Sequence, residues 1–218
     1  MPEFGPRAGA SRARLCLASV VPGPNTVDEV IGMLVGLTTL AWLALEIGML
    51  IRDRVRGTGR MTQDRGTLVL NFLVITAALL AGVAQGMLRG DPAWQFGSRP
   101  LAAAGLLLMW SGLTLRIWAI RVLGRSFRMT VEVDPGQQVV DRGPYRWLRH
   151  PSYTGILLIT TGLGLAYGNW LSPGLLVVLP AAVTTRRIFV EEAVLTGVLG
   201  QPYADYRTRT KRLVPGLW

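Results

Sequence analysis

The sequence predicts an all-α polytopic membrane protein with about five transmembrane helices, the last two of which form a helical hairpin. Half of the 218 residues are hydrophobic and only 17% are charged, a composition typical of chains with long apolar spans. The charges are unbalanced, with 23 Lys and Arg against 13 Asp and Glu, and the basic residues collect at the ends of the apolar runs. This pattern follows the positive-inside rule for membrane proteins and argues against a nucleic-acid-binding protein.

The first part of the chain is predicted to anchor it in the bilayer. Residues 1–26, rich in glycine and proline, are expected to be a flexible amino-terminal segment. Residues 27–123 contain three apolar segments long enough to cross a membrane, at about 27–51, 67–88 and 100–123. The loop after the first segment carries five arginines against two aspartates, which predicts that it lies in the cytoplasm and that the amino terminus lies outside.

Charged residues near the ends of these spans have simple explanations. Glu46 is expected to reach the membrane interface or to meet Arg52. Arg116 and Arg121, in the last turns of the third span, are interpreted as side chains that extend to the cytoplasmic headgroups rather than as contacts to a substrate.

Residues 124–218 are predicted to form the functional region, which faces the cytoplasm. Within it, residues 152–185 contain two apolar segments, each short for a straight crossing, and are interpreted as a helical hairpin that enters from the cytoplasm and returns there. The second helix is expected to continue to Gly200, where Gly-Gln-Pro ends it. The basic carboxy-terminal tail is expected to lie on the anionic inner leaflet and to cover the site.

The most reactive stretch lies just before the hairpin, between Gly143 and Gly155. It holds the only histidine of the chain, His150, together with three aromatic residues. Pro151 suits the first turn of a helix, so His150 should stand immediately before a helix start, where free N–H groups favour anions. Glu191 and Glu192 lie at the other end of the hairpin, and chain connectivity therefore predicts that they converge on the same site.

S-adenosylmethionine is one ligand that fits such a site. Its sulfonium suits aromatic rings, its carboxylate suits a helix start, and its amino group suits a glutamate. No glycine-rich dinucleotide motif is present in the sequence, and its single cysteine, Cys16, with its single histidine predicts no metal site.

These motifs resemble a known family. Arg149-His150-Pro151-Ser152-Tyr153, followed by Glu191-Glu192 and by the run from Gly200 to Tyr206, is similar to the isoprenylcysteine carboxyl methyltransferases, which are integral-membrane lipid methyltransferases. The resemblance covers about residues 121–213. It implies a cytoplasmic pocket for S-adenosylmethionine, closed by the carboxy-terminal region, and a lipophilic substrate that enters laterally from the bilayer.

The resemblance also implies roles for individual residues. Arg187, His150 and Tyr153 would form the catalytic site, with Arg187 holding the methyl acceptor. The residues that would contact the cofactor are Gln137, Gln138, Val139, Val140, Tyr145, His150, Pro151, Ser152, Tyr153 and Glu191. Gln137 departs from the histidine that eukaryotic members carry, which leaves the acceptor open among isoprenylcysteine carboxylates and other isoprenoid, phenolic or amine lipids. The abundance of arginine over lysine indicates a prokaryotic cytoplasmic membrane.

Two other functions stay open at this point. Membrane sterol reductases carry a similar Arg-His-Pro-aromatic stretch, so an NADPH-dependent reductase of an isoprenoid double bond is the main alternative. Its 2′-phosphate would need basic side chains, which Arg146, Arg149, Arg186 and Arg187 offer. A membrane scaffold without activity is the third possibility, and the density of polar groups around His150 argues against it.

Overall fold

The computed structural model describes residues 26–55, 98–127, 138–216 and 218, with residues 73, 76, 77, 80–82 and 87 between the first two ranges. These residues form helices joined by turns. Three of the helices are long and apolar enough to cross a membrane, namely Val27–Val55, Arg99–Leu123 and Leu171–Leu199. The predicted flexible segment and Cys16 lie outside the described residues.

The first two described helices, α1 (Thr26–Val55) and α2 (Arg99–Leu123), run parallel to each other. At one end Arg99 binds Asp28 at 2.8 Å, and at the other end Arg52 donates to the carbonyl oxygen of Phe127 at 2.7 Å. The predicted span at 67–88 falls mostly outside the described residues. Its described part includes the buried helical residue Ala81, which packs into the same core as Trp42 of α1 and Met109 of α2.

Helix α3 (Pro151–Tyr167) packs against α2 in the opposite direction at very close range. A Cβ atom added to Gly162 would overlap the carbonyl oxygen of Gly105, and one added to Gly112 would lie 2.6 Å from that of Gly155. Any larger residue at these positions would force the backbones apart. Small residues that allow close backbone approach are typical of packed membrane helices.

Helix α4 (Leu171–Leu199) returns antiparallel to α3 after a tight turn. Gly168 takes the left-handed conformation, with φ of 63°, that ends α3. The buried Asn169 then accepts hydrogen bonds from the backbone N–H and the hydroxyl of Ser172, at 2.9 and 3.0 Å, which starts the next helix. The apolar part of the second arm was predicted to end at residue 185. The helix continues beyond it to Leu199, just before Gly200, so the second arm of the hairpin is longer than its apolar part.

A short helix, α5 (Gln201–Arg209), and the tail that follows fold back against the other end of the hairpin. The ends of α1 and α2, the start of α3 and the end of α4 therefore meet on one side of the molecule. The turn around Asn169 lies on the opposite side. The residues singled out between Gly143 and Gly155 are on the first of these sides.

Candidate active site

The site is built on the turn that leads into α3. Gly143 has a φ of 60° and opens a 3₁₀ turn, Gly143–Arg146, in which Pro144 and Tyr145 are buried. His150 then stands immediately before α3, as the sequence predicts, with Pro151 in the first helical position. The carbonyl oxygen of His150 accepts the backbone N–H groups of Tyr153 and Thr154 at 3.0 and 3.1 Å, which fixes the histidine at the helix start.

The carboxy-terminal tail pairs with this turn through its backbone. Leu148 and Lys211 form an isolated parallel β-bridge. The backbone N–H of Arg149 donates to the carbonyl oxygen of Lys211 at 2.7 Å, and that of His150 donates to Arg212 at 3.1 Å. The tail thus covers the Arg-His-Pro turn directly, as the expected closing segment should.

Four of the predicted site residues come together where α3 and α4 meet. The hydroxyl of Tyr153 donates to Oε2 of Glu191 at 2.6 Å, and the guanidinium of Arg187 lies 5.5 Å from the Tyr153 ring centre. His150 stacks on the same ring with centroids 5.5 Å apart, and its Nδ1 is 3.9 Å from Glu191. Arg187 is buried and is therefore not a solvated surface side chain.

Tyr145 belongs to the surroundings of this cluster. Burial is the main cause that raises the pKa of its phenol, and the negative charge of Glu191 raises it further. The hydroxyl of Tyr206 donates to the carbonyl oxygen of Tyr145 at 2.8 Å and holds the 3₁₀ turn against α5. Tyr145 is therefore a buried phenol that keeps its proton.

Glu192, the neighbour of Glu191, has a different environment. Its buried carboxylate accepts from Nε of Arg149 at 2.7 Å and from Nη2 of Arg212 at 2.9 Å, and Nε2 of His150 is 3.4 Å away. Arg149 also donates to the carbonyl oxygens of Arg207 and Thr210 at 2.9 and 2.6 Å. Glu192 and Arg149 thereby join the Arg-His-Pro turn, α4 and the tail in one charged network.

A second buried ion pair lies on the membrane side of the helix start. Arg116 binds Glu46 through Nε and Nη2, both at 2.7 Å, while Trp42 donates to the same carboxylate at 2.8 Å. Nη1 of Arg116 donates to the hydroxyl of Ser152 at 2.6 Å. The predicted extension of Arg116 to the headgroups is wrong, because its guanidinium is only 3% exposed and faces α1 and α3.

The same pair corrects the expectations for Glu46. Its carboxylate neither reaches the interface nor meets Arg52, which instead binds Asp53 and the carbonyl oxygen of Phe127. No local pattern pairs Glu46 with Arg116, since 70 residues separate them. The sequence did contain one signal, namely an acidic and a basic residue within two apolar segments. Membrane proteins bury such charged side chains in pairs.

The remaining predicted residues lie around this core of the site. Gln137 lies outside the described residues. Gln138 is exposed, and Val139 and Val140 are half-buried, in the segment that enters the 3₁₀ turn. Pro151 is buried, and the hydroxyl of Ser152 accepts from Arg116. Over the described parts of the chain, no group of three or more His, Cys, Asp or Glu side chains is placed to hold a metal ion.

Comparison with known proteins shows similarity to membrane methyltransferases. Residues 101–202 match a family model described as phospholipid methyltransferase. The protein-S-isoprenylcysteine O-methyltransferase of Tribolium castaneum is 30% identical over 117 residues, which cover 53% of this chain and 42% of that protein. The chain is thus similar in sequence to the isoprenylcysteine carboxyl methyltransferases, the family that its motifs resemble. The uncharacterised protein YpbQ of Bacillus subtilis (strain 168) is 31% identical over 81 residues, 37% of this chain and 48% of that protein.

The likeness to the isoprenylcysteine carboxyl methyltransferases extends to the fold. A solved structure of the eukaryotic intramembrane Ras methyltransferase of this name matches with a TM-score of 0.60 and 20% identity, over 91% of this chain and 70% of that one. This match supports the predicted all-helical membrane fold, while the count of five membrane segments stays a prediction. The chain spans about half the length of the curated relatives it matches.

We expect Glu192→Gln to detach the tail from the Arg-His-Pro turn, because it leaves the buried guanidinium of Arg149 without its counter-charge. Removing one partner of a buried ion pair costs about 3–5 kcal/mol. Thermal unfolding of the purified protein should occur at a lower temperature, and the amides of Arg149 and His150 should exchange hydrogen faster.

The control for this prediction is Asp141→Asn, which removes the partner of Arg209 from an exposed pair at 3.1 Å and should change little. Parental stability and amide protection in the Glu192 variant would mean that backbone pairing alone holds the tail.

Proposed function

We propose that this chain is an integral-membrane methyltransferase that transfers a methyl group from S-adenosylmethionine to a lipophilic acceptor. The observation that carries the proposal is the cluster of Tyr153, Glu191, Arg187 and His150 at the meeting point of α3, α4 and the tail. The relationship to the isoprenylcysteine carboxyl methyltransferases supports the same reaction.

The residues of the site fit the proposed cofactor. When bound, S-adenosylmethionine supplies an electrophilic methyl group on a sulfonium, which aromatic faces such as those of Tyr145 and Tyr153 favour. Glu191 is 28% exposed at its side chain, so its carboxylate combines partial burial with access for an ammonium group. At the start of α3, the backbone N–H of Ser152 is the group suited to a carboxylate, because Pro151 lacks an N–H and the carbonyl oxygen of His150 binds those of Tyr153 and Thr154.

We further propose that Arg187 holds the acceptor. An arginine stays protonated at physiological pH, so it orients and neutralises a carboxylate but is a poor base. A carboxylate acceptor needs no base, because it already carries the electron pair that attacks the methyl group. An isoprenylcysteine-like carboxylate therefore fits best, and another isoprenoid, phenolic or amine lipid entering from the bilayer is the wider class.

The reductase alternative receives less support from the arginines on which it depends. Arg149 is bound to Glu192. A 2′-phosphate would have to displace this ion pair. The proteins of known activity to which the chain is similar are methyltransferases.

We propose that the side of the molecule bearing the site faces the cytoplasm of a prokaryotic cell. That side carries Arg52, Arg149 and Arg212, whereas Trp170 marks the opposite side. In a Cys16→Ser background, Val55→Cys and Lys211→Cys should react with an impermeant thiol reagent only in inside-out vesicles, and Trp170→Cys only in intact spheroplasts. Labelling of positions 170 and 211 from the same side would refute this topology.

Binding of S-adenosylhomocysteine to the detergent-solubilised protein tests the proposed activity, and NADPH serves as the competing ligand. We expect the parent protein to bind S-adenosylhomocysteine and not NADPH. Glu191→Gln should weaken binding by about 2 kcal/mol, or roughly 30-fold, because the ammonium loses a charged partner.

Asp205→Asn is the matched control, since this exposed carboxylate is bound by Gln201 on α5 and lies on the surface. Calorimetry that gave the parent no affinity for S-adenosylhomocysteine would end the proposal. Equal affinity of the parent and the Glu191 variant would remove Glu191 from the site.

The role of Arg187 is tested by separating turnover from cofactor affinity. With an N-acetyl-S-prenylcysteine in mixed micelles as acceptor, Arg187→Ala should lower turnover by about 100-fold or more and leave S-adenosylhomocysteine affinity near the parental value. Arg187→Lys should restore turnover only in part, because an ammonium lacks the planar fork of a guanidinium. The exposed neighbour provides the control, and Arg186→Ala should behave as the parent. Parental turnover in the alanine variant would contradict the role.

A further inference from the structure

Tyr203, in the first turn of α5, has a buried hydroxyl that makes no hydrogen bond with the described residues. Its side chain is 3% exposed, and no other described residue forms a hydrogen bond with the hydroxyl. Buried hydroxyls in folded proteins nearly always have a hydrogen-bond partner, because burying one without a partner costs free energy. The exception calls for an explanation.

Tyr206, three residues further on, shows that a buried tyrosine of this helix can find a hydrogen-bond partner for its hydroxyl. The two rings lie 5.9 Å apart, and both side chains are 3% exposed. The hydroxyl of Tyr206 donates to the carbonyl oxygen of Tyr145 at 2.8 Å, so it has a clear structural task. Tyr203 is equally buried, but its hydroxyl makes no such hydrogen bond.

Tyr203 lies on the part of α5 that packs against the candidate site, since its ring is 5.9 Å from that of Tyr206, whose hydroxyl binds the carbonyl oxygen of Tyr145. Burial and then the charges of Glu192 and Glu191 raise the pKa of its phenol, while the charge of Arg149 lowers it. The hydroxyl therefore keeps its proton at any physiological pH and is available as a donor. Glu191 is the carboxylate proposed to bind the ammonium of the cofactor.

We propose that Tyr203 is a further cofactor-binding residue, whose hydroxyl donates to the carboxylate at the amino-acid end of S-adenosylmethionine. The ammonium and the carboxylate of an amino acid share one carbon atom, so a donor close to Glu191 meets the carboxylate when the ammonium is bound there. The orphan hydroxyl then gains its partner on binding. This inference rests on the proposed function, because it names a contact to the same cofactor.

Tyr203→Phe removes only the hydroxyl, and two measurements on the full chain in detergent test the proposal. Affinity for S-adenosylhomocysteine should fall roughly 10- to 100-fold, the usual effect of a lost hydrogen bond to a charged group. Affinity for 5′-methylthioadenosine, which lacks the amino-acid end, should not change. The unfolding temperature without ligand should be unchanged or higher, since the variant buries no unpaired hydroxyl.

Two other tyrosines are the controls. Tyr206→Phe should lower the unfolding temperature without ligand, because it loses the bond to Tyr145. Tyr167→Phe, at the far end of α3, should leave affinity for S-adenosylhomocysteine at the parental value.

The outcomes separate this inference from the proposed function. If the parent binds S-adenosylhomocysteine and Tyr203→Phe binds it equally well, the inference is wrong and the proposed function stands. It is also wrong if the variant without ligand is less stable than the parent, or if both ligands lose affinity alike. If the parent itself does not bind S-adenosylhomocysteine, the proposed function fails and the inference fails with it.

Discussion

The buried guanidinium of Arg116 is the constraint on which the arrangement of the helices depends. A charge in the apolar interior must be paired, because removing one partner leaves the other at a cost of about 3–5 kcal/mol. Glu46 supplies both carboxylate oxygens from α1, and Ser152 supplies its hydroxyl from the first turn of α3. Through these bonds α1 and α2 determine where α3 begins, and hence where His150 and Tyr153 lie.

This network forms only because α2 and α3 approach so closely. A Cβ atom on Gly155 would lie 2.9 Å from the Cβ of Arg116, so the glycine leaves room for the arginine to pass towards Ser152. The glycines at 105 and 162 keep the same short spacing further along the two helices. Close packing and the buried ion pair therefore support each other, since a wider helix separation would carry Ser152 out of reach of Arg116.

Sequence reasoning succeeded where the deciding interactions are local. A proline after His150 predicts a helix start, and a hairpin of two apolar segments predicts that Glu191 returns to that start. The structure places these two side chains 3.9 Å apart. Reasoning from local pattern failed for Arg116 and Glu46, whose partners are distant in the chain. The backbone pairing of Arg149 with Lys211 could not be predicted from the sequence either, because it depends on no particular side chain.

The two consecutive glutamates, Glu191 and Glu192, have different surroundings although they are neighbours in one helix. Successive residues of an α-helix point about 100° apart, so Glu191 and Glu192 face different neighbours. Arg149 and Arg212 already neutralise Glu192, and its bonds hold the tail in place. Glu191 accepts a hydrogen bond from the neutral phenol of Tyr153, which orients its carboxylate without cancelling the charge. We therefore propose Glu191 rather than Glu192 as the partner of a cationic ligand group, although the sequence alone does not distinguish the two.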